Sequence, residues 1–268
     1  MANQEEMFLY GRLFITFNIR LMTGLRIGGS EEGIQIGGID NTVIRNPFNN
    51  QPYIPGSSLR GKMRCELDKA EGKSRNHKIS ENVSIHICKK QEDYVRCNVC
   101  MVFGVPGAMP GEKEYGGPTR LLVRDVALTE ASRKALENAR LDMPFTEIKT
   151  EAAIDRVTSA AVPRPMERVP AGAVFGPAEL VFNVYGENDF ALLQTVVKGL
   201  QLVEDSYLGG GGSRGNGRVR FEKFEIQAKR AEDYTALPQR LWEGSDIRAL
   251  TAALDEVIGK ARAFIPVE

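Results

Sequence analysis

Leu9-Tyr-Gly-Arg-Leu-Phe-Ile-Thr-Phe-Asn-Ile-Arg-Leu21 puts apolar side chains at 9, 13, 15, 17, 19 and 21 and polar ones at 12, 16, 18 and 20. A two-residue period is that of a strand buried on one face, so the chain opens on the first strand of a sheet. A polar, glycine-rich stretch, 24–56, follows. Pro55-Gly-Ser-Ser58 then supplies a helix start, and Leu59, Met63, Leu67 and Ala70 make an apolar stripe that predicts a helix through about residue 71. Arg60 and Arg64 share another face, one turn apart. Residues 121–128 and 178–185 read as strands, and 131–140 as a short helix. Phe190, Leu193, Val196, Val197, Leu200, Val203 and Tyr207 mark an amphipathic helix, and 219–226 a last strand. The order β-α-β-β-α-β predicts an α+β, ferredoxin-like (RRM-like) core, which by itself assigns no function.

Outward from that core lie three insertions: 24–56, 72–118 and 145–176. The last holds three prolines and reads as an extended arm. The expected organisation is one domain over 1–230 and a C-terminal helical extension over 231–268. The 268 residues are 42% hydrophobic and 26% charged, which excludes disorder and a disulfide scaffold. No run approaches the roughly 18 apolar residues of a membrane helix. The acidic start, Met-Ala-Asn-Gln-Glu-Glu-Met7, lacks the features of a secretory signal, so a cytoplasmic protein is expected.

Lys plus Arg and Asp plus Glu balance at 35 each, which on its face argues against nucleic acid. The balance is an average over unlike parts. Residues 41–65 hold Arg45, Arg60, Lys62 and Arg64 and no acid, and 206–221 hold Arg214, Arg218 and Arg220 and no acid. Residues 231–268 carry seven acids and four basic side chains.

Four cysteines, two of them in a C-x-x-C, suit an intracellular metal site better than disulfides. His86, Cys88, Cys97 and Cys100 offer three thiolates and an imidazole, the donor set of a closed structural zinc site. His77 is the reserve ligand, and Cys65 on the first helix reads as a packed thiol. The loop Leu208-Gly-Gly-Gly-Gly-Ser-Arg-Gly-Asn-Gly-Arg-Val-Arg-Phe221 formally contains G-x-G-x-x-G, but a helix precedes it and a strand follows, which excludes a dinucleotide turn. Two readings stay open: a flexible linker, or a loop whose bare amides and arginines approach a phosphate backbone. No G-K-[ST] is present, and two histidines beside a metal leave no base for a nucleophilic triad. Asp40, in a glycine-rich loop at the edge of the basic stretch, is the remaining carboxylate of interest, although such a residue is ordinarily a turn or cap.

Five motifs taken in order resemble the RAMP superfamily, specifically the backbone subunit of type III-A CRISPR effector (Csm) complexes. They are Thr23-Gly-Leu-Arg-Ile-Gly-Gly29, Gly38-Ile-Asp-Asn-Thr-Val-Ile-Arg-Asn-Pro47, Ile54-Pro-Gly-Ser-Ser-Leu-Arg-Gly-Lys-Met-Arg64, Ile154-Asp-Arg-Val-Thr-Ser159 and the loop over 209–221. The resemblance runs from about 8 to 228. It implies a subunit that polymerises along a CRISPR RNA beside other type III subunits, and an arm, or thumb, that displaces one guide–target base pair. The arm would be a β-hairpin, with Ile154, Pro163 and Met166 against bases and Arg156, Arg164 and Arg168 against phosphates. Ser57, Ser58, Arg60, Lys62 and Arg64 would grip guide backbone, with Arg26, Arg45 and the loop residues Gly210, Gly211, Gly212, Ser213, Arg214 and Arg218 adding contacts.

The family's catalytic aspartate falls on Asp40, implying cleavage of complementary RNA by attack of a 2′-hydroxyl on the adjacent phosphate. A carboxylate with an ordinary pKa of about 3.9 is a feeble base at neutral pH. Asp40 is therefore expected to place a divalent cation such as Mg²⁺ or to orient the hydroxyl. Many relatives have a histidine where this chain has Arg26, which cannot act as a neutral base. Two alternatives are a non-catalytic guide-RNA scaffold and a CRISPR-RNA processing endoribonuclease.

Overall fold

A computed structural model describes residues 7–28, 42–106 and 116–267. The first strand, β1 (Gly11–Leu21), is followed by β2 (Tyr53–Ile54) and α1 (Gly56–Ala70). An insertion carries β3 (His77–Ser80), β4 (Val83–Ile85), α2 (Gln91–Tyr94) and α3 (Asn98–Phe103). Next come β5 (Leu121–Val123), β6 (Val126–Ala127), α4 (Glu130–Glu137) and the hairpin β7 (Glu147–Ile154) and β8 (Ala161–Arg168). The chain ends with β9 (Val174–Val184), α5 (Leu193–Asp205), β10 (Val219–Arg230), β11 (Gln239–Asp246), α6 (Ile247–Ala252) and α7 (Leu254–Phe264).

The main sheet has the strand order β11-β10-β1-β9-β5, and every neighbouring pair in it is antiparallel. β1 lies at its centre because Leu13, Ile15, Phe17, Ile19 and Leu21 all face the core. That face is covered by α1, through Leu59, Met63 and Leu67, and by α5, through Val196, Leu200 and Val203. The two helices approach closely at Gly199, where an added Cβ would stand 3.1 Å from Leu67 Cδ1. Each such fully buried Leu or Met contributes about 1.5–3 kcal/mol. The opposite face of β1 carries Arg12, Thr16 and Arg20, and Arg20 pairs across to Glu222 at 2.8 Å.

Three expectations are corrected. The strand over 121–128 breaks in two: Arg124 and Asp125 interrupt it, the Arg124 amide bonds Glu179 O, and β6 turns away to pair with β2. The arm ends short of residue 176, since β9 already begins at Val174; Gly176-Pro177 hides its alternation in the sequence. The extension over 231–268 is only partly helical, because β11 joins the main sheet on β10. Leu241, Ile247, Leu250, Val257 and Ile258 then bury into the same core. The insertion over 72–118 adds to the main core through Tyr94, Val99, Val102 and Phe103. No helix among the described residues is long and apolar enough to cross a membrane.

Candidate nucleic-acid interface and metal centre

The hairpin of β3 and β4 leads into His86 and Cys88, while α3 supplies Cys100 and, at its N-cap, Cys97. Their four ligand atoms lie within 4.8 Å of one another, and His86 Nε2 stands 3.7 Å from both Cys88 Sγ and Cys97 Sγ. Donors on a tetrahedral zinc ion at 2.0–2.3 Å are about 3.5–3.8 Å apart, so the set fits one ion after slight closure. His86 Nδ1 faces Ser74 O at 3.1 Å and must donate there, which turns the bare Nε2 toward the sulfurs. The Cys97 thiol is depressed to about 4, first by its hydrogen bond with Cys100, whose own thiol is raised by the same contact. Burial pushes the Cys88 thiol up to about 11. His77 pairs with Ile85 in the hairpin and is not part of the group. Cys65 is exposed, not packed, because it lies off the 59/63/67 stripe of α1.

Three cations of α1, Arg60, Lys62 and Arg64, are engaged within the chain. Arg60 donates to Phe103 O and lies over the Phe103 ring, 5.6 Å from its centroid. Arg64 donates to Gly104 O at 3.0 Å and to His86 O at 2.9 Å. Burial, and then the charge of Arg64, lower the pKa of Arg60. Lys62 pairs with Glu66 at 2.6 Å and its Nζ sits 3.5 Å from the centre of the Tyr207 ring. At the helix start the Gly56 amide is already taken by Asp125 Oδ1 at 2.7 Å, leaving Ser57 exposed and Ser58 half-buried.

In the other acid-free stretch, Arg214 finds an acid elsewhere in the chain. Arg214 pairs with Glu151 of β7 at 2.8 Å, and Lys149 reaches Glu151 at 3.1 Å. The glycine loop is not a flexible linker. The Gly210 amide donates to Arg26 O at 2.8 Å, and the Gly217 amide to Gly24 O at 2.9 Å. Gly209 and Gly217 have φ of +73° and +78°, and a Cβ would come within 2.2 Å of Arg26 O and 2.0 Å of Leu208 O respectively. Only glycine accepts both the dihedral and the approach. Arg26 crosses this loop half-buried, and its Nε has no hydrogen-bond partner.

The arm is the antiparallel hairpin β7–β8, in register from Glu147↔Arg168 to Ile154↔Ala161. Asp155 ties its tip by accepting the amides of Val157 and Thr158 and the Thr158 hydroxyl, bonds that lower its pKa. Ile154, Val157 and Val162 are exposed there, Val157 at 91%. Arg156 and Arg164 are exposed and have no ion-pair partner among the described residues. Met166 is buried at the foot of the arm and cannot wedge against a base; Asn216 Nδ2 approaches its sulfur at 3.5 Å. Arg168 is likewise engaged, with Glu147 at 2.7 Å and Asn216 Oδ1 at 2.9 Å.

Glu167 completes the foot. Buried to 2% exposure, it accepts from the Val43 amide at 2.7 Å, the Thr146 hydroxyl at 2.6 Å and Arg45 at 2.5 Å. Arg45 is thus an internal partner of the arm. Gly28 and Val43 pair with each other across an isolated bridge, which fixes both flanks of the segment carrying Asp40. Asp40 itself lies outside the described residues. Glu167, Asn216, Val157 and Val162 were missed in the sequence; only the exposed valines had a local signal, in their apolarity beside Arg156 and Arg164.

The RAMP superfamily model matches residues 18–220. Over 261 residues, 95% of this chain and 98% of the relative, the chain is 36% identical to the CRISPR system Cms endoribonuclease Csm3 of Methanocaldococcus jannaschii. The chain belongs to the Csm3 family of the RAMP superfamily. Another Csm3 endoribonuclease, from Mycobacterium tuberculosis, is 34% identical over 232 residues, 82% of this chain and 90% of that one. Among solved structures, a chain of the Csm3-Csm4 subcomplex in the type III-A CRISPR-Cas interference complex superposes with a TM-score of 0.58 at 28% identity, covering 93% of this chain and 97% of that one. Csm3 of Methanopyrus kandleri has the same fold, with a TM-score of 0.61 at 23% identity over 94% and 98% of the two chains. The RAMP fold is therefore mixed α/β around a central antiparallel sheet, as described above.

Proposed function

We propose that this chain is a guide-RNA-holding backbone subunit of a type III CRISPR effector complex and that it cuts complementary target RNA, one site per subunit. The observation that carries the proposal is the 36% identity, spread over nearly the whole length of both chains, to a protein named as a Csm3 endoribonuclease. The order β1, α1, β5, β9, α5, β10 supports a ferredoxin-like core over 1–230, with 231–268 as an extension docked on it. Its partners are CRISPR RNA, target RNA, further copies of the chain and other type III subunits, in the cytoplasm.

RNA would contact Ser57 and Ser58, the loop from Gly210 to Arg214, Arg218, and Arg156 and Arg164 on the arm; Ser57, Ser213, Arg214, Arg218, Arg156 and Arg164 are exposed. Contacts of this kind read backbone rather than sequence, so specificity is delegated to guide–target pairing. The apolar tip of the arm would displace a base and free the sugar-phosphate for in-line attack. Asp40 would place a divalent cation or orient the 2′-hydroxyl at that point. His86, Cys88, Cys97 and Cys100 would hold a structural zinc that fixes the insertion against α1.

The test is a reconstituted complex of guide, partner subunits and this chain, given complementary RNA and Mg²⁺. Regular cuts by the wild type that vanish in Asp40→Ala, with RNA binding retained, are the expected result. No cuts by either protein support the scaffold reading instead. Cleavage of repeat RNA by the isolated chain supports a processing enzyme and sinks the proposal.

A further inference from the structure

We propose that Arg64 is a positioning residue of the metal centre, holding its ligands in place, and not a contact to RNA. The inference rests on the reading of His86, Cys88, Cys97 and Cys100 as a zinc site. Arg64 comes from α1, outside the ligand-bearing insertion. One edge of its guanidinium donates to Gly104 O at 3.0 Å, directly after the helix that carries Cys100. The other nitrogen donates to the carbonyl of His86 itself at 2.9 Å and stands 4.0 Å from Cys100 Sγ. A single planar fork therefore bridges both segments that supply ligands. One turn earlier, Arg60 donates to Phe103 O, so two cations meet the carbonyl end of α3, where acceptors lack intrahelical partners.

Charge supports the same assignment. Coordinated thiols are deprotonated, so three thiolates and a neutral imidazole around a divalent ion leave one net negative charge among buried cysteines. A buried charge is costly unless paired, and Arg64, near Cys100, and Lys73, near Cys97, are cations beside it. Turning the fork outward to RNA would strip two carbonyls of their donor and leave the Cys100 side of the centre without its cation. Lysine cannot substitute fully, because an ammonium lacks the fork that reaches two acceptors at once.

The test uses the full-length protein loaded with zinc, with a competing colorimetric chelator to read affinity and Co²⁺ in place of zinc to read thiolate-to-metal absorption bands. Arg64→Gln is expected to weaken metal binding about 10- to 100-fold and to shift the Co²⁺ bands, since it removes a charge beside a sulfur. Arg64→Lys is expected to fall between, and Lys69→Gln, exposed on the same helix, to match the wild type. Wild-type affinity and unshifted bands in the Arg64 variants overturn the inference and leave the metal reading standing. A wild-type protein that takes up no ion overturns the metal reading and the inference with it. If Arg64→Gln does not fold, Arg64→Lys carries the test under the same expectations.

Discussion

The Glu167 carboxylate, in the last turn of the arm toward the core, accepts the amide of Val43 at 2.7 Å across 124 residues of sequence. With Arg45 and Thr146 on its other lone pairs, it joins the arm, the strand-like neck at Gly28 and Val43, and the loop at Pro144 into one unit. Removing one member of a buried charged pair leaves the other desolvated, at a cost of about 3–5 kcal/mol. Glu167→Ala is therefore expected to lower stability by a few kcal/mol in denaturant unfolding, and Glu167→Gln by less, because the amide still accepts one bond.

The same carboxylate has a pH signature. Burial raises its pKa, but the bonds from Thr146, Val43 and Arg45 outweigh burial and hold it below the ordinary 4.5. A group depressed in the folded state stabilises fully above its unfolded pKa, and that stability is lost as pH falls through the folded value. Thermal melting of the wild type is expected to fall off below about pH 4.5 more steeply than that of Glu167→Gln, which has no such proton to take up.

Gly217 admits an equally direct check. Its φ of +78° and the 2.0 Å approach of a Cβ to Leu208 O make alanine both strained and obstructed. Gly217→Ala is expected to cost at least 2 kcal/mol and to loosen the loop from Gly24, seen as faster amide exchange at Gly210 and Gly217. Gly186, where a Cβ meets nothing within 4 Å and φ is not positive, is the comparison: Gly186→Ala is expected to change stability by less than about 1 kcal/mol.

Much of this was legible in the sequence because it is periodic or locally patterned. The alternation in β1, the stripe of α1 and the spacing of His86, Cys88, Cys97 and Cys100 each place residues on a common face or loop within a short stretch. What escaped depends on partners far along the chain. Nothing beside Arg45 or Arg214 announces Glu167 or Glu151, so acid-free stretches read as free charge when their counter-ions come from the arm. Arg60 and Arg64 bond backbone carbonyls, which have no side-chain signature at all. β11 was missed because an edge strand with Leu241 as its one fully buried apolar position carries too little alternation to read.

If the His86, Cys88, Cys97 and Cys100 group holds zinc as proposed, metal removal should act on the insertion before the sheet. The cysteines sit where the insertion meets the main core, beside Val99, Val102 and Phe103. Opening the centre would release the hold of α3 on α1 while β1, β9 and β10 keep their ladders. Incubation with a strong chelator is expected to bring fast amide exchange over residues 83–103, slow exchange persisting in β1, and recovery on adding Zn²⁺. Uniform loss of protection throughout the sheet would instead make the metal part of the global fold.

The arm tip separates assembly from chemistry. Ile154, Val157 and Val162 are exposed on a hairpin whose turn is secured by Asp155, so they add little to the stability of the chain itself. Surface changes of this kind normally shift stability by less than about 0.5 kcal/mol. If the tip displaces a base of the guide–target duplex, its apolar surface matters only once target is paired. Val157→Asp, alone and with Ile154→Asp, is therefore expected to leave melting temperature and guide binding unchanged in the reconstituted complex. The rate of target cutting should fall about tenfold to a hundredfold, the size of effect expected from a misplaced reacting group. The position of the remaining cuts tells whether register is kept: the same sites at a lower rate indicate lost displacement, whereas new sites indicate an arm that enters at the wrong base. An unchanged rate at unchanged sites in the double variant would remove the wedge from the mechanism and leave the arm as a spacer between copies.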